Sequence, residues 1–359
     1  MKIDGSWGNF RHWIALVFCV AMAGLVTKIP EFFDWPIEPY LQKNIGLVLF
    51  PWLTLLAGIM YHTAKKYLIG AVLIFSVAAT YINVLGPAIS NDVLILLAIH
   101  LPIFYWFVYG WSRLGALQHD GVARLQFLRH NGGLLVLSAV LGAAGLLTML
   151  MTFALYELLG IEITDAHVTN IITWGAPAVP LTATFVLILN PDLVKNISPL
   201  VAKIFTPLVL FVLATFTLGL LFTQQTVYQD RQVLLVLNGV LIAVMALILF
   251  SISALSKAGT SNIQLGLLFV LSAICLLDNT IALSSVSWRL LEMGLTPNRI
   301  AIFGANVLIW IHLFKVALAL WQTWRKAEPK KVVEQAIADY LPVYAIWCGV
   351  VCFVFPWLF

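Results

Sequence analysis

Eleven long apolar runs, separated by short polar segments, dominate the pattern of hydrophobic and polar positions along this chain. Each run is 18 to 26 residues long, close to the roughly 20 residues that an α-helix needs to cross the hydrocarbon core of a bilayer. They cover residues 12–29, 45–62, 67–86, 93–111, 134–159, 171–189, 204–223, 233–255, 263–286, 300–322 and 340–359. The pattern predicts an all-α, polytopic transmembrane helical bundle of about eleven spans, forming a single integral-membrane domain over 1–359.

The composition excludes a water-soluble protein and several kinds of site. Of the 359 residues, 62% are hydrophobic and 10% are charged, whereas globular domains carry about 25% charged residues. No stretch is basic enough to indicate nucleic-acid binding. The four cysteines lie inside apolar runs without a C-x-x-C motif or a Cys/His cluster at zinc spacing. The sequence therefore predicts no metal and no cofactor, with the lipid bilayer as the main partner.

The distribution of basic residues indicates the orientation. With the N-terminus in the cytoplasm, 14 of the 20 Lys and Arg residues fall on the inner side, 5 fall on the outer side and Lys315 lies inside a span. Basic residues collect on the cytoplasmic side of membrane proteins. An odd number of spans then places the C-terminus outside. In a bacterium, this predicts a multi-pass protein of the inner membrane.

We therefore expect reporter fusions at residues 120 and 328 to be cytoplasmic and fusions at residues 294 and 359 to be external. The reason is that the orientation with a cytoplasmic N-terminus places most of the basic residues on the inner side. Paired alkaline phosphatase and fluorescent-protein fusions measure this directly. A cytoplasmic signal from the C-terminal fusion would require an even number of spans.

Two basic linkers have apolar residues at helical spacing. In 112–133, Leu117 and Leu125 recur on one face beside three arginines, a pattern typical of a helix lying in the interface. We expect residues 112–130 to contact anionic lipid, and the alternative is a docking site for a protein partner. The second linker, 325–339, leads into the last span, where Pro342 is expected to produce a kink. Pro102, Pro177 and Pro180 could likewise unwind their spans locally.

Polar residues within the predicted spans are the candidates for an intramembrane site. A charge in a span costs about 2.5–3.5 kcal/mol on insertion scales, so each one needs a reason. Asp278 in the ninth span, His100 in the fourth and Asn306 in the tenth are expected at a similar depth from the outer side. His312 and Lys315 lie about one turn apart in the tenth span.

Two interpretations of these residues remain open. Asp278 could belong to an ion or proton relay with His100, or with His312 and Lys315. Alternatively, Asp278 could form hydrogen bonds between helices while Lys315 extends its side chain to the cytoplasmic headgroups.

The linker between the ninth and tenth spans predicts a tight helical hairpin on the outer side. Gly294 suits the left-handed position after a helix end, and Thr296 suits an N-cap before Pro297. This account leaves Arg299 unexplained. Arg289 follows Asp278 by eleven residues, close to three helical turns, so both lie on one face. Arg289 and Arg299, with Glu292, could therefore form an outer anion site above Asp278.

The stretch Arg-Leu-Leu-Glu-Met-Gly-Leu-Thr-Pro-Asn-Arg at 289–299, followed by an apolar span, resembles a family of bacterial polytopic membrane proteins known only as a domain of unknown function. Thr206-Pro207-Leu208 at the start of the seventh span fits the same pattern. The resemblance covers 190–325. It implies a bacterial inner-membrane protein, and it assigns no catalytic residues.

Three functions fit the sequence. Transport or a channel-like activity agrees with many spans, intramembrane charges and the lack of a long soluble segment. A membrane-embedded enzyme acting on a lipid-linked substrate would use the outer Arg and Glu residues, but the chain has no H-E-x-x-H or G-x-S-x-G motif. A non-catalytic envelope or signalling component is the third possibility. The polar residues inside the spans favour transport.

Overall fold

The computed structural model describes residues 8–84, 89–158, 163–222, 231–255, 262–326 and 331–359. These residues are almost entirely helical and contain no strand, which confirms the predicted all-α fold. The helices are α1 (Phe10–Phe32), α2 (Ile37–Met60), α3 (Lys65–Val84), α4 (Asn91–Leu114), α5 (Gly121–Leu158), α6 (Asp165–Leu189), α7 (Pro191–Phe222), α8 (Arg231–Leu255), α9 (Asn262–Met293), α10 (Pro297–Lys326), α11 (Lys331–Ala338), α12 (Leu341–Phe353) and α13 (Phe355–Leu358).

Helix length and composition agree with a multi-pass membrane protein. Within the described ranges, nine helical segments are long and apolar enough to cross a membrane. Two shorter apolar segments, Phe205–Gly219 and Leu237–Ile252, lie within α7 and α8. Long apolar side chains such as Leu135 on α5 and Phe211 on α7 face outward, as expected for helices solvated by lipid. The number of spans and the orientation of the termini stay predictions.

The described chain forms two compact units. Unit 1 contains residues 1–89, 97–118 and 130–194, and unit 2 contains residues 90–96, 119–129 and 195–359. In unit 1, α1 packs against α2 and α6. Its polar side chains pair with one another: Asn44 of α2 and Asn83 of α3 exchange two hydrogen bonds of 2.8 and 3.1 Å. Buried Lys28 of α1 contacts Glu31 of the same helix and Asn170 of α6.

Unit 2 is built around the hairpin of α9 and α10, and α8 and α11 pack against it. Its apolar core consists mainly of buried leucine, isoleucine and valine side chains contributed by α7 to α11, with one from α5. Examples are Leu213, Leu237, Leu241, Ile248, Leu268, Leu271, Leu313, Val316, Leu320, Val333 and Ile337. This core surrounds the candidate site.

The segment 112–133, predicted as a separate helical segment lying in the membrane interface, is mostly a continuation of its neighbouring helices. α4 extends to Leu114, a 3-10 turn covers Gly115–His119, and α5 begins at Gly121. Leu117 is exposed, but Leu125 is only 4% exposed and packs into the core of unit 2. The prediction that Leu125 shares a lipid-facing side with Leu117 is therefore wrong, since Leu125 belongs to the same buried apolar cluster as Val333 and Ile337 of α11. Contact of residues 112–130 with anionic lipid stays a prediction.

The last predicted span is interrupted near its start, where the sequence predicts a kink at Pro342. The helix ends at Ala338, resumes at Leu341 and is interrupted again at Val354. Arg124 of α5 stabilises the first interruption, because its Nη1 donates a 2.9 Å hydrogen bond to the carbonyl oxygen of Ala338. The last carbonyls of a helix lack partners within the helix, so Arg124 supplies one.

Replacing Arg124 by alanine is expected to lower the free energy of unfolding by about 1.5–3 kcal/mol, the usual range for a hydrogen bond to a charged group. The Arg124–Asp339 ion pair adds little, because its atoms are 3.9 Å apart and Asp339 is largely exposed. Thermal unfolding of purified protein measures the effect, with Gln126→Ala on the same helix as the control, since Gln126 is exposed. Equal stability of both variants would contradict this role of Arg124.

Candidate functional site

Asp278 lies in unit 2, midway along α9 and roughly 22–24 Å from either end of that helix. Its side chain is fully buried. The surrounding side chains of the core are apolar, so an ionised carboxylate here would lose most of its solvation energy. No salt bridge reaches Asp278 from any residue that the structure describes. The carboxyl group is therefore held by hydrogen bonds to uncharged groups.

Thr217 of α7 is the hydrogen-bond partner of Asp278. Its Oγ1 lies 2.9 Å from Oδ1 and 3.0 Å from Oδ2 of the carboxyl group. The same Oγ1 lies 2.8 Å from the carbonyl oxygen of Leu213, one turn earlier in α7. Bonding to the carbonyl four residues back is a common arrangement for a helical threonine. Three acceptor oxygens thus surround a single hydroxyl group.

Three asparagines on neighbouring helices form a second polar group. Nδ2 of Asn306 on α10 donates a 2.7 Å hydrogen bond to Oδ1 of Asn238 on α8. Nδ2 of Asn279 on α9 donates a longer bond of 3.4 Å to Oδ1 of Asn306. Asn279 follows Asp278 directly in sequence, and its own Oδ1 is buried without a hydrogen-bond partner among the described residues. The centre of unit 2 therefore contains a carboxyl group, a hydroxyl group and three amides within an apolar core.

His312 and Lys315 belong to a different cluster, formed with the start of α12. His312 is fully buried, and its Nδ1 lies 2.9 Å from the hydroxyl group of Tyr344. Its ring stacks on Tyr340 with the ring centroids 4.4 Å apart. Nζ of Lys315 lies 5.4 Å from the centre of the Tyr340 ring, a distance typical of a cation–π contact. The Lys315 side chain is otherwise exposed, as expected for a lysine that reaches the headgroups.

The three residues of the proposed outer anion site have different surroundings. Arg299 donates hydrogen bonds of 2.7 and 2.8 Å to the carbonyl oxygens of Met293 and Gly294. These bonds explain Arg299, which completes the capping of α9 at the hairpin turn. Gly294 has a φ of 80° and Thr296 Oγ1 accepts from the Arg299 amide, as the sequence predicts. Glu292 is exposed and Arg289 is half-buried. Ser285, between Arg289 and Asp278, is fully buried.

The structure brings together some of the predicted polar residues and adds one that the sequence analysis missed. Asp278 and Asn306 lie in unit 2, one with Thr217 and the other in the asparagine group. His100 is a half-buried residue of α4 in unit 1. Thr217 escaped notice because a threonine can bond its own helix and therefore costs little in an apolar run. Its only signal in the sequence is its place inside the seventh span.

The described residues contain no group of three His, Cys, Asp or Glu side chains that could hold a metal ion. The site therefore offers one ionisable carboxyl group and several uncharged polar groups, of which Asp278, Asn279 and Asn306 are buried and Thr217 and Asn238 are half-buried. A comparison of this chain with models of protein families, with curated proteins and with solved structures finds no match.

Proposed function

We propose that the protein moves an ion across a bacterial inner membrane, either alone or coupled to a solute, and that Asp278 is the group that binds the ion during passage. The observation that carries this proposal is the contact between Asp278 and Thr217. A fully buried carboxyl group, midway along a helix of membrane-spanning length, is held by one hydroxyl group from another helix. Ionisable residues in this position are rare and typical of ion pathways.

A purely structural role for Asp278 is a weaker explanation. An asparagine could form the same interhelical hydrogen bonds, and asparagines do so nearby, where Asn306 bonds Asn238. A carboxyl group adds the ability to gain and lose a charge, at a cost in insertion of about 2.5–3.5 kcal/mol. That cost has a reason when the charge takes part in the activity.

The resemblance at residues 289–299 and the excess of basic residues on one side support the bacterial inner membrane as the location. An enzyme acting at the outer side would depend on Arg289, Glu292 and Arg299. The hydrogen bonds of Arg299 to the end of α9 account for that residue without a substrate. Ion transport is therefore the function that the described contacts favour.

Flux measurements in proteoliposomes test the proposal. Vesicles with a potassium diffusion potential are assayed for proton and sodium uptake, with and without an external mixture of amino acids, sugars and organic acids. We expect uptake that depends on the protein and falls to the level of empty vesicles in Asp278→Asn. Ser272→Ala is the matched control, because Ser272 is equally buried on α9 but bonds only its own helix.

Three results of the flux measurement would contradict the proposal. Uptake that is equal in wild type and Asp278→Asn would contradict the proposal, and so would the absence of any uptake by wild type. A loss of uptake in both Asp278→Asn and Ser272→Ala would show sensitivity to any change in the core of α9, and would also contradict a specific role for the carboxyl group.

A further inference from the structure

We infer that the ion bound at Asp278 is a proton, and that the arrangement of oxygens at the site fits its proton-loaded state, with Asp278 as a neutral carboxylic acid. This inference rests on the proposed function for its role in transport. Its structural basis is a count of protons and acceptors around Thr217. The hydroxyl group of Thr217 has one proton, yet its oxygen lies within hydrogen-bond distance of three acceptor oxygens.

A neutral Asp278 supplies a second proton, so that two of the three contacts are hydrogen bonds and the third is the close approach of the other oxygen of the same carboxyl group. Thr217 donates its proton to the carbonyl oxygen of Leu213 at 2.8 Å. The carboxylic acid then donates its own proton to Oγ1 of Thr217, whose lone pairs are free to accept it. The distances of 2.9 and 3.0 Å between the oxygens of Thr217 and Asp278 are those of ordinary O–H···O hydrogen bonds. An ionised Asp278 would give four oxygens one proton to share.

Among the described residues of the packed helices, none forms an ion pair with Asp278. On α9, the titratable neighbour one turn away is Cys275, which is buried in the same core. α8 carries Arg231 at its first position and presents Asn238 to α10. On α10, His312 bonds Tyr344 of α12. On α7, the charged residues Asp192, Lys195 and Lys203 are at least 14 residues before Thr217, roughly 21 Å along the helix.

Release of the proton requires only water as the acceptor. The O–H bond of Asp278 breaks, the proton passes to a water molecule, and the electron pair stays on the carboxylate. The hydroxyl group of Thr217 then rotates from Leu213 toward the carboxylate and donates to it. The Leu213 carbonyl keeps its helical partner, the amide of residue 217. Unloading therefore reverses the direction of the hydrogen bond between α7 and α9.

A sodium ion is the competing occupant, because carboxylate, hydroxyl and carbonyl oxygens also bind hard cations. Labelling with dicyclohexylcarbodiimide distinguishes the two. The reagent reacts with a protonated carboxyl group: the carboxyl oxygen adds to the central carbon, the proton moves to nitrogen, and the adduct rearranges to a stable N-acylurea. Mass spectrometry of peptides locates the added mass in membranes that contain the full-length protein.

We expect labelling of Asp278 at near-neutral pH, a decline of labelling at alkaline pH, and no protection by sodium chloride relative to choline chloride. The exposed Glu292 on the same helix is the internal control, since an ionised carboxylate reacts poorly. Infrared spectra of wild type and Asp278→Asn provide a second measurement. The carbonyl stretch of a protonated carboxylic acid should be present in wild type and absent in Asp278→Asn.

Protection by sodium would overturn the inference and assign the site to sodium. Equal infrared spectra of wild type and Asp278→Asn in the carboxylic acid region would show an ionised Asp278 and overturn it as well. Neither measurement needs transport to occur. A labelled, protonated Asp278 together with unchanged uptake in Asp278→Asn would reject the proposed function and leave the inference on protonation intact.

Discussion

Replacing Gly304 by leucine is expected to prevent α12 from packing on α10 and to destabilise unit 2. A Cβ atom at residue 304 would lie 2.1 Å from Cη2 and 2.3 Å from Cζ2 of Trp347. Real Cβ atoms do not approach other heavy atoms so closely, so the indole ring or the helix must move. Overpacking costs about 1–3 kcal/mol and sometimes more, and leucine adds three further carbons to the clash.

Gly239→Leu is the matched control for Gly304→Leu. Gly239 also lies within an apolar helix of unit 2, but a Cβ atom there has no neighbour within 4 Å. Thermal unfolding in detergent should therefore be nearly normal for Gly239→Leu and strongly shifted for Gly304→Leu. The double variant Gly304→Leu/Trp347→Ala should recover part of the loss because it removes the clashing ring. Equal unfolding temperatures of the two glycine variants would contradict the close packing of α10 and α12.

Replacing Asn306 by leucine is expected to lower the free energy of unfolding by about 2–6 kcal/mol, since two amides lose their partner and each buried unsatisfied group costs about 1–3 kcal/mol. Asn306 is the central member of its group: it donates to Asn238 and accepts from Asn279. Leucine fills a similar volume, so the lost hydrogen bonds and not a cavity cause the effect.

A double-mutant cycle with Asn238→Leu tests the origin of this loss. Both side chains are removed in Asn306→Leu/Asn238→Leu, so no amide of that pair is left without a partner. The double variant should therefore be more stable than the sum of the single effects implies. Additive effects would indicate that Asn306 and Asn238 do not interact across α8 and α10.

Much of the fold follows from the length of the apolar runs. Within the described residues, ten of the eleven predicted runs each lie largely in one helix and the last covers α12 and α13, because a lipid-exposed backbone must satisfy its hydrogen bonds within the segment. The positions at which the helices end are predicted less accurately from the apolar runs. Arg113, Arg124 and Arg129 mark a linker by their charge, yet α4 and α5 continue through them. Tyr61 and the end of α11 provide partners for Arg113 and Arg124, and these partners are distant in sequence.

The positions of the prolines also do not predict where the helices break. Pro102, Pro177 and Pro180 lie within α4 and α6, which are assigned as continuous helices. The interruption in the final helices occurs at Asp339–Tyr340, where Arg124 provides a partner for the freed carbonyl of Ala338. A proline alone does not determine a break, because neighbouring groups decide whether the freed backbone is satisfied.

For the candidate site, the sequence could indicate Asp278, whose charge is costly inside a membrane, but not its hydrogen-bond partner. Asp278 stands out as a carboxyl group in an apolar run. Its partner Thr217 lies 61 residues earlier, and nothing in the local sequence distinguishes it from Thr215, which bonds only carbonyls of α7. His312 and Lys315 suggest a pair by spacing. Their contacts are instead with Tyr340 and Tyr344, because the packing of α10 with the final helices brings them together.

If Asp278 binds the ion during transport, water and ions must reach the contact between Asp278 and Thr217. The most direct measurement is modification of Thr217→Cys by a small, charged, membrane-impermeant methanethiosulfonate reagent, in a chain whose four native cysteines are replaced by alanine. Phe211→Cys on α7 is the control, since Phe211 is an outward-facing apolar residue and a thiol in hydrocarbon does not react. The account predicts modification of Thr217→Cys and none of Phe211→Cys, whereas a Thr217→Cys protein that stays unmodified from both sides of the membrane would contradict it.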